Sequence, residues 1–311
     1  MPCYKPLQAY QCSDGSVVWY ESPKWDVVRS LTLPCGQCVG CRLERSRQWA
    51  VRCMHEASLY KNNCFITLTY DDDHLPENGS LRYSDFQKFM KRLRKRYSGA
   101  ERSASPESKD EYPIRFYMCG EYGENFGRPH FHACLFNFDF RDKRVWSRSP
   151  SGSRIYRSDV LEELWPFGFS SIGEVNFQSA AYVARYIMKK VTGKAAREHY
   201  DEVDYETGEI LSKVPEFNKM SLKPGIGADW FKRFHNDVYP HDHVVVNGKT
   251  CKPPRFYDGQ LEKMFPDLYD DVKHARFLEA MLHLEDNTPD RLAVKEQVAK
   301  AKLSMLKRTL T

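Results

Sequence analysis

The residues best suited to chemistry are two histidines one position apart, His130 and His132, in the stretch Gly127-Arg-Pro-His-Phe-His-Ala-Cys-Leu-Phe136. The stretch reads as a loop entering a buried strand. Successive strand side chains alternate faces, so both imidazoles point one way while Phe131 points into the core. Two imidazoles on one face can share a metal ion. The plainer alternative is a pair of hydrogen-bonded histidines at a strand end. A third ligand has two candidates upstream. Ile114 to Cys119 reads as a strand, and Glu121 to Gly127 supplies Gly and Asn turn chemistry. In an antiparallel hairpin Glu121 sits across from His130, close enough to bind the same ion. Glu124, further into the turn, is the second choice.

A nucleophile is offered downstream. Ser179 to Val191 reads as a helix with Ser179 as its N-cap. At about 100° per residue, Tyr182, Tyr186 and Lys189 share one stripe. Ala180, Val183, Ala184, Ile187 and Val191 fill roughly the opposite one, which is the core stripe. The tyrosines therefore stand outside the core pattern, one turn apart, where both hydroxyls can reach one phosphate in turn. A phenol, with a reference pKa of about 10, is a weak nucleophile at neutral pH. It needs a phosphate already polarised by a cation.

A second metal pattern lies near the start. Cys35-x-x-Cys38-x-x-Cys41 follows Pro34 and has the thiolate spacing of a tetrahedral zinc site. A distant cysteine must close it. Cys3 is the first candidate and Cys12 stands behind it. An iron–sulfur run would place a fourth cysteine near position 45, where this chain has Arg45. Free thiols in a loop are the alternative.

These residues carry a resemblance. Gly-Arg-Pro-His130-Phe-His132 before an apolar strand, then Tyr182-x-x-x-Tyr186-x-x-Lys189, resembles the HUH endonuclease superfamily, and Phe65-Ile-Thr-Leu-Thr-Tyr-Asp71 is similar to its first motif. More closely, roughly residues 30 to 260 resemble the rolling-circle replication initiators of microvirus-type, gokushovirus-like single-stranded DNA phages. The resemblance implies an antiparallel sheet carrying the histidines and a helix presenting the tyrosines. It implies nicking of single-stranded viral origin DNA in the cytoplasm of the bacterial host, with host helicase and polymerase as partners. Tyr182 and Tyr186 would form 5′-phosphotyrosyl links and free a 3′-hydroxyl, with Lys189 stabilising phosphate charge. Manganese or magnesium suits His130, His132 and Glu121. Arg128, Arg185 and Lys190 are the expected DNA contacts. Within the superfamily a transposase or relaxase uses similar chemistry. Outside it, two classes compete: a zinc-containing single-stranded DNA-binding protein that does not cut, and a metal hydrolase using water.

The elements that must position these residues follow from pattern. Helices are expected over Arg42 to Tyr60, from a capping box at Ser84-Asp-Phe-Gln87, around Leu161 to Trp165, and over Ala228 to Val238. Strands are expected over Cys64 to Tyr70 and Ser170 to Phe177, with a hairpin at Val244 to Cys251. Lys88, Lys91, Arg92, Arg94, Lys95 and Arg96 make the second helix a solvated or phosphate-contacting face. Arg141 to Arg157 interleaves cations with Trp146 and Tyr156, which suits single-stranded DNA or disorder. Residues 98–111 and 193–216 read as polar loops. His241-Asp-His243, after Pro240, reads as a decoy. Thr288-Pro289 opens a last, basic helix.

The predicted fold is α+β: an antiparallel β-sheet with flanking helices, a cysteine-rich metal-binding segment before it and a helical C-terminal extension after it. The predicted divisions are 1–60, 61–235 and 236–311. With 311 residues and a net charge of +5, the chain can bury a full core and permits nucleic-acid binding without demanding it. Ten cysteines without a secretory pattern point to a reducing compartment, and no apolar run is long enough to span a membrane. No Walker A sequence is present, so no built-in ATP-driven helicase is expected.

Overall fold

The computed structural model describes residues 3–97, 113–123, 126–149, 152–185, 191, 195–203 and 207–305. The described residues fall into two compact units, one from 1–45 and 270–307, the other from 46–269. In the first, β1 (Leu7–Cys12), β2 (Val17–Val18) and β3 (Val27–Leu33) form an antiparallel sheet in the order β2-β1-β3. The helix α1 (Val39–Ser58) begins here, three residues earlier than its pattern suggests, and runs on into the second unit.

The second unit is built on β4 (Asn63–Tyr70), whose residues alternate half-buried and buried along its whole length. Next come α2 (Tyr83–Arg96), the hairpin of β5 (Arg115–Tyr122) and β6 (Pro129–Phe136), and a second hairpin, β7 (Arg144–Arg148) with β8 (Arg154–Arg157). They are followed by α3 (Asp159–Leu164), β9 (Gly168–Gly173) and α4 (Phe177–Arg185). Further on are α5 (Ala195–Tyr200), β10 (Asp201–Val203), β11 (Ile210–Ser212), β12 (Phe217–Met220) and α6 (Ala228–Val238). The unit continues through the hairpin β13 (Val244–Val246) with β14 (Lys249–Cys251) and the helix α7 (Arg255–Met264). The chain then enters α8 (Pro266–Met281), and α9 (Pro289–Ser304) lies in the first unit, capped by Thr288 with Pro289 in its first turn.

Seven strands pair antiparallel throughout, in the order β12-β5-β6-β4-β9-β8-β7. The sheet is buried on two sides because strand alternation sends alternate residues to each. On one side Ile66, Leu68 and Tyr70 meet Phe86, Phe89 and Leu93 of α2 together with Phe131 and Trp165. On the other, Tyr117, Cys134 and Phe136 meet Ala50 and Cys53 of α1 and Ala180, Val183 and Ala184 of α4. Among the described residues no helix is long and apolar enough to cross a membrane.

Several local expectations are corrected. No side chain caps α2, so Ser84 and Gln87 form no capping box; Asp85 is instead buried and accepts from the Tyr70 hydroxyl at 3.0 Å. Nor is α2 simply a solvated basic face. Arg92 donates to the Leu164 carbonyl and Arg94 to the Ile114 carbonyl, which ties the helix to chain that would otherwise leave those carbonyls unmet. Ser179 is not the cap of α4 but its third residue. Asn176 caps, its Oδ1 accepting from Ser179 N and the Ser179 Oγ accepting from Asn176 N, both at 2.9 Å. Of the two readings of Arg141 to Arg157, disorder is corrected: the segment contributes the edge hairpin of the sheet. Residues 98–111 of the first polar loop lie outside the described residues, and residues 193–216 hold α5, β10 and β11.

Candidate active site

In the β5–β6 hairpin Glu121 is paired with His130, and Cys119 with His132. The two histidines and Glu121 therefore share a face, as alternation requires. The Glu121 Oε1 lies 2.7 Å from His130 Nε2 and 2.8 Å from His132 Nε2. Glu121 is 1% exposed and His132 4%, so these charges meet away from bulk water. Burial raises the carboxyl pKa of Glu121, but hydrogen bonds from both histidines outweigh it and hold the group below its usual range.

The nitrogen on the far side of each ring is also engaged. His130 Nδ1 lies 3.0 Å from the Arg128 carbonyl, which can only accept. Nδ1 must therefore carry the proton, and a neutral His130 turns the lone pair of Nε2 toward the carboxylate oxygen. Two acceptors facing each other at 2.7 Å need a proton or a cation between them. His132 Nδ1 lies 2.9 Å from Thr67 Oγ1, and the ring stacks on Phe65 with centroids 5.6 Å apart. Two imidazole nitrogens and a buried carboxylate, with ligand atoms within 4.8 Å of one another, fit a metal ion. Thr67 and Phe65 were not singled out as site residues from sequence. Positions 65, 67 and 69 share one face of β4, but its pairing with β6 joins distant segments and has no local signal in the sequence.

Tyr182 lies on α4 with its ring edge-on to His132, centroids 5.1 Å apart. Ala180, Val183 and Ala184 are buried on the sheet side of the helix, and Tyr182 is half-buried. Tyr186, Lys189 and Lys190 lie outside the described residues, as does Glu124, and Arg185 ends α4 with its side chain likewise not described. Arg128 donates to the Tyr70 carbonyl at 3.0 Å and pairs with Asp72. The structure thus brings together Glu121, His130, His132 and Tyr182.

The sulfurs of Cys3, Cys35, Cys38 and Cys41 form a second cluster, all within 4.8 Å of one another. Cys12 is buried in β1 and is not among them. The Cys3 and Cys38 sulfurs are 3.9 Å apart. Tetrahedral zinc with bonds of about 2.3 Å sets sulfurs about 3.8 Å apart, so the spacing fits. Backbone N–H groups of Cys35 and Tyr4 donate to Cys3 and Cys38. Burial pushes the Cys38 thiol up, but the N–H groups of Cys41 and Tyr4 and the neighbouring thiols bring it down to about 6. Burial pushes the Cys3 and Cys41 thiols up. Crowded thiols cannot all ionise without a cation among them, which is what a structural metal supplies. His241 and His243 belong to no such cluster among the described residues.

Comparison with known proteins agrees with this arrangement. The model of the replication-associated protein ORF2/G2P family matches residues 63–191, which span β4 to α4 and the histidine pair. Replication-associated protein VP4 of Bdellovibrio phage phiMH2K is 32% identical over 268 residues, covering 86% of this chain and 79% of the relative. Replication-associated protein ORF2 of Spiroplasma virus 4 is 33% identical over 298 residues, 89% of this chain and 86% of the relative. Replication-associated protein ORF4 of Chlamydia phage 1 is 31% identical over 242 residues, 76% of this chain and 55% of the relative. No solved structure matches the chain. With most of its length aligned to such proteins and the matched segment carrying the histidine pair, the chain belongs to the phage replication-associated protein family, as a gokushovirus-like replication initiator.

Proposed function

We propose that this chain starts rolling-circle replication by nicking single-stranded viral origin DNA through tyrosine attack, and later rejoins the strand. The observation that carries the reading is the convergence of Glu121, His130 and His132 beside the ring of Tyr182. A divalent ion held by Glu121, His130 and His132, manganese or magnesium, supplies Lewis-acid polarisation of the scissile phosphate.

The chain's own residues do the rest. The phenolic oxygen of Tyr182 or Tyr186 bonds to phosphorus, the bond from phosphorus to the 3′-oxygen breaks, and the phenolic proton ends on that oxygen. A 5′-phosphotyrosyl link and a free 3′-hydroxyl result. The phosphoester survives in the link, so rejoining needs no nucleotide. Tyr182 and Tyr186, four residues apart in sequence, let one hold the old end while the other cuts the regenerated origin. Lys189, three residues beyond Tyr186 in sequence, stabilises phosphate charge, and Arg128, Arg185 and Lys190 contact the DNA backbone. Residues 61–235 form the nuclease domain, flanked by the zinc-bearing segment 1–60 and the extension 236–311. Zinc occupies Cys3, Cys35, Cys38 and Cys41 as a closed structural site. Strand opening and synthesis fall to host helicase and polymerase in the bacterial cytoplasm.

The test is a covalent adduct. Protein incubated with the single-stranded viral genome and manganese should give a protein–DNA species that survives a denaturing gel. Tyr182→Phe and Tyr186→Phe should each still form one adduct and fail to release circles, and the double variant should bind DNA and form none. His130→Ala and His132→Ala should lose nicking with the fold kept. Cutting without any adduct would make water the nucleophile, and binding without cutting would leave a zinc-containing single-stranded DNA-binding protein.

A further inference from the structure

The strand β9 is interior, paired with β4 on one side and β8 on the other, yet its Phe169 is 64% exposed. Isolated exposed phenyl groups are common on protein surfaces and alone mean nothing. Register sets this one apart. Glu121 is opposite His130, His130 is opposite Thr69, and Thr69 is opposite Phe169. Residues directly opposite in an antiparallel sheet point to one face. These four residues therefore make a single row across the sheet, on the face where Glu121 meets His130. With strands about 4.8 Å apart, Phe169 stands about 10 Å from His130 along that row.

The position is rigid. Gly168 holds φ at +140°, and a Cβ there would fall 2.3 Å from the Asp71 nitrogen, which donates to the Phe167 carbonyl at 2.9 Å. Beyond it Ser170 and Ile172 are buried while Ser171 is half-buried, so the strand is seated and only its site face is open. The same face of β4 and β9 carries Phe65, Thr67, Thr69, Phe169 and Ser171: rings and hydroxyls, with no carboxylate to repel a phosphate backbone.

We propose that Phe169 is a stacking platform for a base of single-stranded DNA, next to the phosphate that Glu121, His130 and His132 address. The proposal rests on the nuclease reading for its choice of ligand. A ring on fixed backbone stacks any base without reading it, so it grips and orients the strand beside the cut and adds no sequence preference.

The test is binding of fluorescein-labelled oligo-dT by anisotropy, with no divalent ion added so that cutting cannot intervene. Phe169→Ala should weaken binding by about 5- to 100-fold, and Phe169→Trp should stay within about threefold of the natural chain. Thermal unfolding of both variants should match the natural chain, since an exposed ring holds no core. Phe169→Ala binding within about twofold of the natural chain overturns the proposal. The nuclease reading is scored separately by the adduct. If the natural chain forms the adduct and Phe169→Ala binds unchanged, stacking falls and nicking stands. If no adduct forms but Phe169→Ala loses binding, the stacking site stands and nicking falls.

Discussion

Thr67→Val is the substitution that most directly tests how the candidate site is held. Thr67 Oγ1 lies 2.9 Å from His132 Nδ1. When that nitrogen donates to the hydroxyl, the proton is fixed on Nδ1 and the lone pair of Nε2 is left facing the position shared with His130 and Glu121. Valine keeps the shape and the strand preference of threonine and removes only the oxygen. The Phe65 stack then still holds the plane of the His132 ring but no longer its tautomer. Outer partners of this kind are worth about 10- to 100-fold in metal affinity or activity, or about 1.4 to 2.7 kcal/mol. The assay is the single-turnover rate of adduct formation against manganese concentration. The half-saturating manganese concentration should rise by about 10- to 100-fold, with the plateau rate largely recovered, and Thr67→Ser should restore the natural curve. An unchanged manganese dependence would refute the argument. So would a lower plateau with no shift along the concentration axis, because an orienting hydroxyl acts on occupancy first.

Two further outcomes are expected. Purified protein should carry about one zinc per chain, and Cys38→Ser should lower that content and loosen the N-terminal strands; elemental analysis showing no zinc, or an iron chromophore, would contradict the site. His55, buried with Nδ1 2.8 Å from the Tyr257 hydroxyl and stacked on Trp230, has its pKa pushed down by burial to about 4. An unfolded histidine titrates near 6.5, so the stabilising effect is full above that pH and is lost as pH falls toward 4, by about 3 kcal/mol. In urea melts across that window the natural chain should lose about 3 kcal/mol more than His55→Gln, and parallel losses would sink the assignment.

Much of the second unit was legible because its signals are local. The alternation in Cys64 to Tyr70, the turn between Cys119 and Pro129 and the apolar stripe of α4 each specify an element within a dozen residues. Glu121 followed from hairpin register alone. What stayed hidden depends on pairings between distant segments. Nothing near Thr67 says that β4 lies between β6 and β9, so neither its contact with His132 nor the row ending at Phe169 could be read. The buried pair of Glu56 and Arg115 was missed for the same reason. Arg115 also donates to the Pro224 carbonyl at 2.7 Å and Glu56 accepts from Gly227 N at 2.7 Å, so the pair makes sense only once α1, β5 and the turn before α6 are together.

The placement of Tyr182 shows how the local and distant signals combine. The buried face of α4 carries Ala180, Ala181 and Ala184, and side chains this small let a helix lie close on a sheet. Two polar groups then fix its position. Ser46 of α1 donates to the Ala181 carbonyl at 3.1 Å, and Asn218 of β12 donates to the Val183 carbonyl at 2.9 Å. These contacts flank Tyr182 in sequence and approach from different elements, so the helix is held from two directions. The tyrosine is thereby set against His132, its half-buried ring packed on the same core cluster as the small side chains of α4.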